Sequence, residues 1–192
     1  MISIAIDGPA GAGKSTIARL TAKKLGYIYI DTGALYRTVA LSAINENIDI
    51  DNADKVENML KGTVVSLEFI DGEQRVFLNG EDVSDYIRTP EVSMAASKIS
   101  AIPSVRAFLL NLQQDMAKTK NVIMDGRDIG TVVLPAAQVK IFLTASADCR
   151  AKRRFDELSE KGMQVNYEDI LKDIKTRDYN DSHRDIAPLK PA

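Results

Sequence analysis

The chain has 192 residues, 45% of them hydrophobic and 27% charged, the size and balance of one globular domain able to bury a real core. With 25 basic and 27 acidic side chains its formal net charge is −2, which argues against binding nucleic acid by bulk charge alone. Cys149 and His183 are the only residues of their types, so no internal disulfide, cysteine zinc cage or Ser-His-Asp hydrolase is expected. No apolar run is long enough to span a bilayer, and Met1–Asp7 lacks the basic segment and cleavage site of a signal peptide, so a cytoplasmic protein is expected. The charge is unevenly spread. Residues 1–42 hold five basic and two acidic side chains, whereas residues 43–91 hold four basic and twelve acidic, like an insertion whose surface faces water.

In chain order, Ile2, Ile4 and Ile6 lie in a short apolar run that stops at Asp7-Gly8, as a buried parallel strand does. A helix follows from about Lys14 to Leu25, with Ala18, Ala22 and Leu25 on one face and Gly26 as its stop. Tyr27–Ile30 reads as a second strand ending at Asp31-Thr32-Gly33, followed by a helix from about Ala34 to Ile44. Asn52 caps a short helix ending near Gly62, and Val64–Ile70 pairs antiparallel with Arg75–Leu78 around Asp71-Gly72. Thr89-Pro90 opens a helix, and another runs from near Pro103 to about Lys118. Val122–Met124 is a buried strand ending at Asp125-Gly126, and Val139–Leu143 is another buried strand. Ser146 and Asn166 cap the last two helices. This β-α order implies an α/β fold, a parallel sheet with helices on both faces, with ligands outside the carboxyl ends of the strands.

The strongest motif is Gly8, Pro9, Ala10, Gly11, Ala12, Gly13, Lys14, Ser15, which fills every position of G-x-x-x-x-G-K-[ST] between a strand and a helix. Its glycines let backbone N–H groups wrap an anion, and the helix beginning near Lys14 adds its positive end. Lys14 places a compact cation on the outer phosphates, and the Ser15 hydroxyl can bind Mg²⁺. The chain has no Asn-Lys-x-Asp base-reading motif, which favours ATP as the nucleotide.

Three further constellations bear on the chemistry. Asp31-Thr32-Gly33-Ala34-Leu35-Tyr36-Arg37 is a strand end followed by a helix start, with Arg37 about one turn in; an ordinary capped helix with a solvated arginine has the same pattern. Asp125-Gly126-Arg127-Asp128-Ile129-Gly130 puts two carboxylates and an arginine at the end of a buried strand, a costly arrangement unless charged partners meet it; the alternative is a polar loop with local turn bonds. Arg177, Asp181 and Arg184 are spaced four and three apart, on one helix face continued backwards by Ile174 and Ile170; a surface ion pair is the competing reading. Arg150, Arg153 and Arg154 share the helix after Ser146, as a solvated face or a phosphate clamp.

Taken together, Gly8–Ser15, Asp31–Arg37, Asp125–Thr131 and Arg177–Arg184 resemble the bacterial cytidylate (CMP) kinases, a family of P-loop nucleoside monophosphate kinases, and the resemblance runs from about Ile2 to Ala192. It implies a P-loop NTPase-type parallel sheet flanked by helices, with a small antiparallel β insert at residues 63–88 and a helical lid. The implied division is a core at about 1–35 and 119–149, a monophosphate-binding region at about 36–118 and a lid at about 150–168. Family members also continue past Ala187-Pro188-Leu189 with one more strand and helix, which flank the core and help to form the adenine pocket.

The same resemblance implies roles for individual residues. ATP would sit on Gly8 to Thr16, with Lys14 at its phosphates and Mg²⁺ at Ser15. CMP or dCMP would be the acceptor: Ser97, Arg106 and Asp128 would read the cytosine edge, the carboxylate accepting from the exocyclic amine that uracil lacks. Arg37, Arg127 and Arg184 would grip its phosphate, Arg177 and Asp181 would hold the ribose, and Thr32 would lie beside the nucleotide. Arg153 would come from the lid to the transferring phosphate. A monomer that binds neither nucleic acid nor membrane is expected. Another small-molecule or nucleoside monophosphate kinase, or a nucleotide-switched binding protein, remains an alternative on the residues alone.

Overall fold

The computed structural model describes residues Met1–Ala192. Four parallel strands form the main sheet: β1 (Ser3–Asp7), β2 (Ile28–Asp31), β6 (Val122–Gly126) and β7 (Val139–Phe142), in the order β2-β6-β1-β7. β1 and β6 are buried on both faces, as their apolar runs Ile4-Ala5-Ile6 and Val122-Ile123-Met124 require, with Ile4 and Ala5 in register with Ile123 and Met124. β7 departs from the expected buried strand. It is one edge of the sheet, with Val139 41% and Ile141 42% exposed, since only β1 pairs with it.

Helix α1 (Lys14–Leu25) lays Ala18 and Ala22 on Ile4, Ile6 and Ile123 and ends at Gly26, whose left-handed backbone donates to the Ala22 carbonyl. Leu25, on the same face by spacing, is nonetheless 48% exposed: the sheet offers α1 one small apolar layer, and the two alanines occupy it. On the other side α2 (Thr32–Asn45), capped by the Asp31 side chain, buries Leu35, Val39, Ala40 and Ala43 in the largest core cluster. That cluster also takes residues of α3 (Ala53–Leu60), α4 (Pro90–Ile99) and α5 (Pro103–Thr119).

The predicted insert is a sheet of its own. β3 (Val65–Ile70) and β4 (Glu73–Leu78) pair antiparallel through a turn in which Asp71 (φ 53°) and Gly72 (φ 80°) are both left-handed, the geometry a two-residue hairpin needs. A third strand, β5 (Glu81–Asp82), follows a second such turn at Asn79-Gly80; the sequence reading stopped short of it because two residues carry no alternation. None of these strands joins the main sheet. After β6 comes an unpredicted π-helical turn, Ile129–Val133, then β7 and the helices α6 (Ala147–Glu160) and α7 (Tyr167–His183), which pack on each other.

Candidate active site

The loop between β1 and α1 closely approaches Leu143, just after β7. A Cβ on Gly8, at φ 149°, would lie 1.9 Å from the Leu143 carbonyl oxygen, so no other residue fits there without moving the backbone. Gly11 and Gly13 also have positive φ, and no side chain caps α1, which leaves its first N–H groups free for an anion. Lys14 is buried, its Nζ donating to the Pro9 carbonyl at 2.8 Å. Burial, and then the neighbouring Arg127, push its ammonium from 10.5 down to about 7, against the pull of Asp125, Asp181 and Asp7.

Three carboxylates stand at the carboxyl ends of β1, β2 and β6. Asp7 accepts from the N–H groups of Ile129 and Gly130, both at 2.8 Å, and so pins the π-helical turn. Asp125 accepts from Ser15 Oγ at 2.9 Å and from the Tyr29 hydroxyl at 2.8 Å. Burial raises both carboxyls above the usual range, and Asp31 adds to the effect at Asp125. Asp31 accepts from Ala34 N–H at 3.0 Å and from Arg37 at 2.8 Å. Thr32, expected beside the nucleotide, is 2% exposed, and its hydroxyl donates to the Asp125 carbonyl at 2.8 Å. Gly126 is required here as well, since a Cβ would come within 2.8 Å of both Ile129 and Thr32 Oγ1.

The predicted arginines and carboxylates gather beside this row. Asp128 is buried and paired with Arg106, and Arg184 Nη2 lies 3.8 Å from its other oxygen. Arg106 also donates to the Ser100 carbonyl at 3.1 Å and stands over the Tyr36 ring. Arg127 Nε donates to the buried Asp181 at 2.8 Å. Arg177 has its guanidinium lowered to about 10, first by burial and then by Arg127. Arg37 Nε, Arg177 Nε and Arg184 Nη2 are all buried with no hydrogen-bond partner. Buried guanidinium donors are not normally left so, and three in one cluster fit an anion arriving there.

Ser97 meets this group at a cleft of about 280 Å³ between α4 and α7, lined also by Lys98, Asp181 and Arg184. α7 ends at His183, and Arg184 follows in extended backbone (φ −68°, ψ 144°), so the helical face carries Arg177 and Asp181 alone. Arg184 reaches the site through its bonds to Ala187 O at 2.7 Å and Ser100 Oγ at 3.3 Å.

The three arginines of α6 diverge. Arg153 is exposed, and Arg154 pairs with Glu157 at 3.0 Å. Arg150, which the sequence did not separate from them, is 4% exposed, bonded twice to Asp178 and at 3.0 Å to the carbonyl of Ala10 in the phosphate loop. Asp7, Tyr29 and Asp178 are not among the residues that the motifs single out. Asp125 is, as one of two carboxylates at the end of a buried strand, but its partners Ser15 and Tyr29 are seen only in the fold. Asp7 holds the matching position at the end of β1; Tyr29 and Asp178 carry no signal in the sequence.

The family model described as cytidylate kinase matches residues 4–192. This chain belongs to the cytidylate kinase family. The cytidylate kinase of Caldicellulosiruptor saccharolyticus is 58% identical over 191 residues, covering 100% of this chain and 84% of its own. That of Caldanaerobacter subterraneus subsp. tengcongensis is 54% identical over 188 residues, 98% of this chain and 82% of its own. That of Lactobacillus johnsonii is 52% identical over 192 residues, 100% of this chain and 84% of its own. The phosphate loop, the Asp31–Arg37 segment, Asp125–Thr131 and Arg177–Arg184 all lie inside the stretch that matches the cytidylate kinase family. No helix of this cytidylate kinase family member is long and apolar enough to cross a membrane.

Proposed function

We propose that this chain transfers the γ-phosphoryl group of ATP to CMP. The observation that carries the reading is the pairing of two anion sites: the Lys14 loop, and the unpartnered guanidinium donors of Arg37 and Arg184. One anion site suits a nucleotide switch; two suit a donor and an acceptor.

In this reading the loop from Gly8 to Thr16 cradles the donor phosphates with the N–H groups of its residues other than Pro9, and Lys14 covers the outer ones. The residues present fit Mg²⁺: a Ser15 hydroxyl beside a buried Asp125 carboxylate is a hard-oxygen set, short enough that phosphate oxygens would complete it. Ser15 and Asp125 would hold the ion, which when bound neutralises charge on the donor phosphates. Arg37, Arg127 and Arg184 grip the CMP phosphate, offsetting its repulsion from the donor and aiming its oxygen in line at the γ-phosphorus. Arg177 and Asp181 hold the ribose. Ser97, Arg106 and Asp128 read cytosine, with Arg106 orienting the Asp128 carboxylate. No covalent enzyme intermediate is required.

Residues 36–118 serve as the acceptor-binding region and 150–168 as a lid, whose closure brings the exposed Arg153 to the transferring phosphate and shuts out water. dCMP, which keeps the base and phosphate that this site reads, is a second acceptor. A cytoplasmic monomer working on soluble nucleotides, without nucleic acid, accords with the net charge of −2. The test is a coupled kinase assay with ATP and Mg²⁺ across CMP, dCMP, UMP and AMP. CMP and dCMP are expected to be used best. A slow ATPase unaffected by any monophosphate would refute the reading.

A further inference from the structure

β2 is an edge of the main sheet, so one side of its backbone has no strand beside it. At its last residue, Asp31, that side is filled by a single side chain from the insert. Gln74 of β4 accepts from Asp31 N–H through Oε1 at 2.8 Å and donates from Nε2 to the Asp31 carbonyl at 3.2 Å. A carboxamide carries the same donor and acceptor as a peptide group, so Gln74 acts as a strand one residue long. Asp31 is a demanding residue to hold this way. Its carboxylate caps α2 through Ala34 N–H and also accepts from Arg37 at 2.8 Å.

We infer that Gln74 is a positioning residue for the acceptor phosphate: it locks the insert sheet to Asp31 and, through Asp31, fixes Arg37. The inference rests on the proposed role of Arg37 at CMP. The anchor behind Gln74 is firm. Val76 and Leu78 on the same strand are buried in the cluster that holds α2, and the next residue, Arg75, is tied to Asp82 at 2.7 Å and Asp85 at 2.9 Å. Gln74 is half-buried and outside that cluster, so its loss leaves the apolar core intact and frees only the clamp. Arg88, 3.8 Å from the Asp31 carboxylate and 64% exposed, is too distant to replace it.

The test compares Gln74→Leu, which removes both bonds at similar size, and Gln74→Glu, which sets a carboxylate against the Asp31 carbonyl. Each is made in the full chain, with and without Arg37→Ala. In Gln74→Leu the KM for CMP should rise about three- to tenfold, the worth of one or two modest hydrogen bonds, with the KM for ATP and the Tm nearly unchanged. Gln74→Glu should be worse. In the Arg37→Ala background, Gln74→Leu should add nothing further. Three results overturn the inference: an unchanged KM for CMP in Gln74→Leu while Arg37→Ala raises it, a full Gln74→Leu effect that persists without Arg37, or both KM values rising together with a lowered Tm. If Arg37→Ala itself leaves the KM for CMP unchanged, the acceptor-phosphate reading of Arg37 fails, and the inference with it.

Discussion

Lys14 has little water around it, 5% exposed, and burial lowers its ammonium to about 7. Phosphates arriving on the loop favour the charged form, so its pKa rises on binding and a proton is taken up at pH values between about 7 and 10.5. Titration calorimetry of ATP binding near pH 8.5, in two buffers of different ionisation enthalpy, should therefore report net proton uptake. The uptake should vanish well below pH 7 and in Lys14→Ala, whose kcat should fall on the order of 10²-fold or more. Asp128 poses a sharper question, because its carboxylate already holds Arg106. As a base reader it accepts from the cytosine amine, and the uracil oxygen in that place would leave two acceptors in contact. Asp128→Asn should lower kcat/KM for CMP by at least about tenfold and narrow the ratio of CMP to UMP. If both substrates weaken together and the ratio holds, Asp128 only orients Arg106.

At the scale of elements, the site depends on how α6 and α7 sit against the phosphate loop. Arg150 is the tie: it holds Asp178 of α7 with two bonds and the Ala10 carbonyl with a third. Asp178→Asn keeps the shape but leaves a buried guanidinium without its counter-charge. Asp178 is 28% exposed, so the cost should be below that of a fully dry pair, about 2 kcal/mol, or a fall in Tm of roughly 4–8 °C. The KM for ATP should rise with it, as the loop loses its brace. A thermal melt with parallel kinetics checks both, and an unchanged Tm would make the ion pair incidental.

For the whole molecule, the proposed lid raises a question of closure. Arg153 lies exposed on α6. If the lid carries it to the transferring phosphate, Arg153→Ala should lower kcat by about 10–10²-fold. The Kd of each nucleotide bound alone, and the Tm, should stay as they are. Single-turnover rates and separate binding titrations measure these, and a normal kcat would remove Arg153 from the reaction.

The motifs that name the chemistry are local in the chain and were therefore legible in it. The phosphate-loop motif is two glycines, a lysine and a hydroxyl within eight residues, and its strand and helix lie on either side. Caps were legible for the same reason: Asn52, Thr89, Ser146 and Asn166 each accept from N–H groups two or three residues on, as read. The antiparallel pairing of β3 and β4 was legible from alternation around Asp71-Gly72, and their place in a separate insert from the family resemblance. What depended on contacts between distant residues was not legible. The edge position of β7, the choice of Arg150 over Arg153 for burial, and the Gln74 clamp on Asp31, 43 residues away, are set by which surfaces meet. Sequence periodicity states that a face is apolar or charged; only packing decides which charged side chain loses its water and therefore must find a partner.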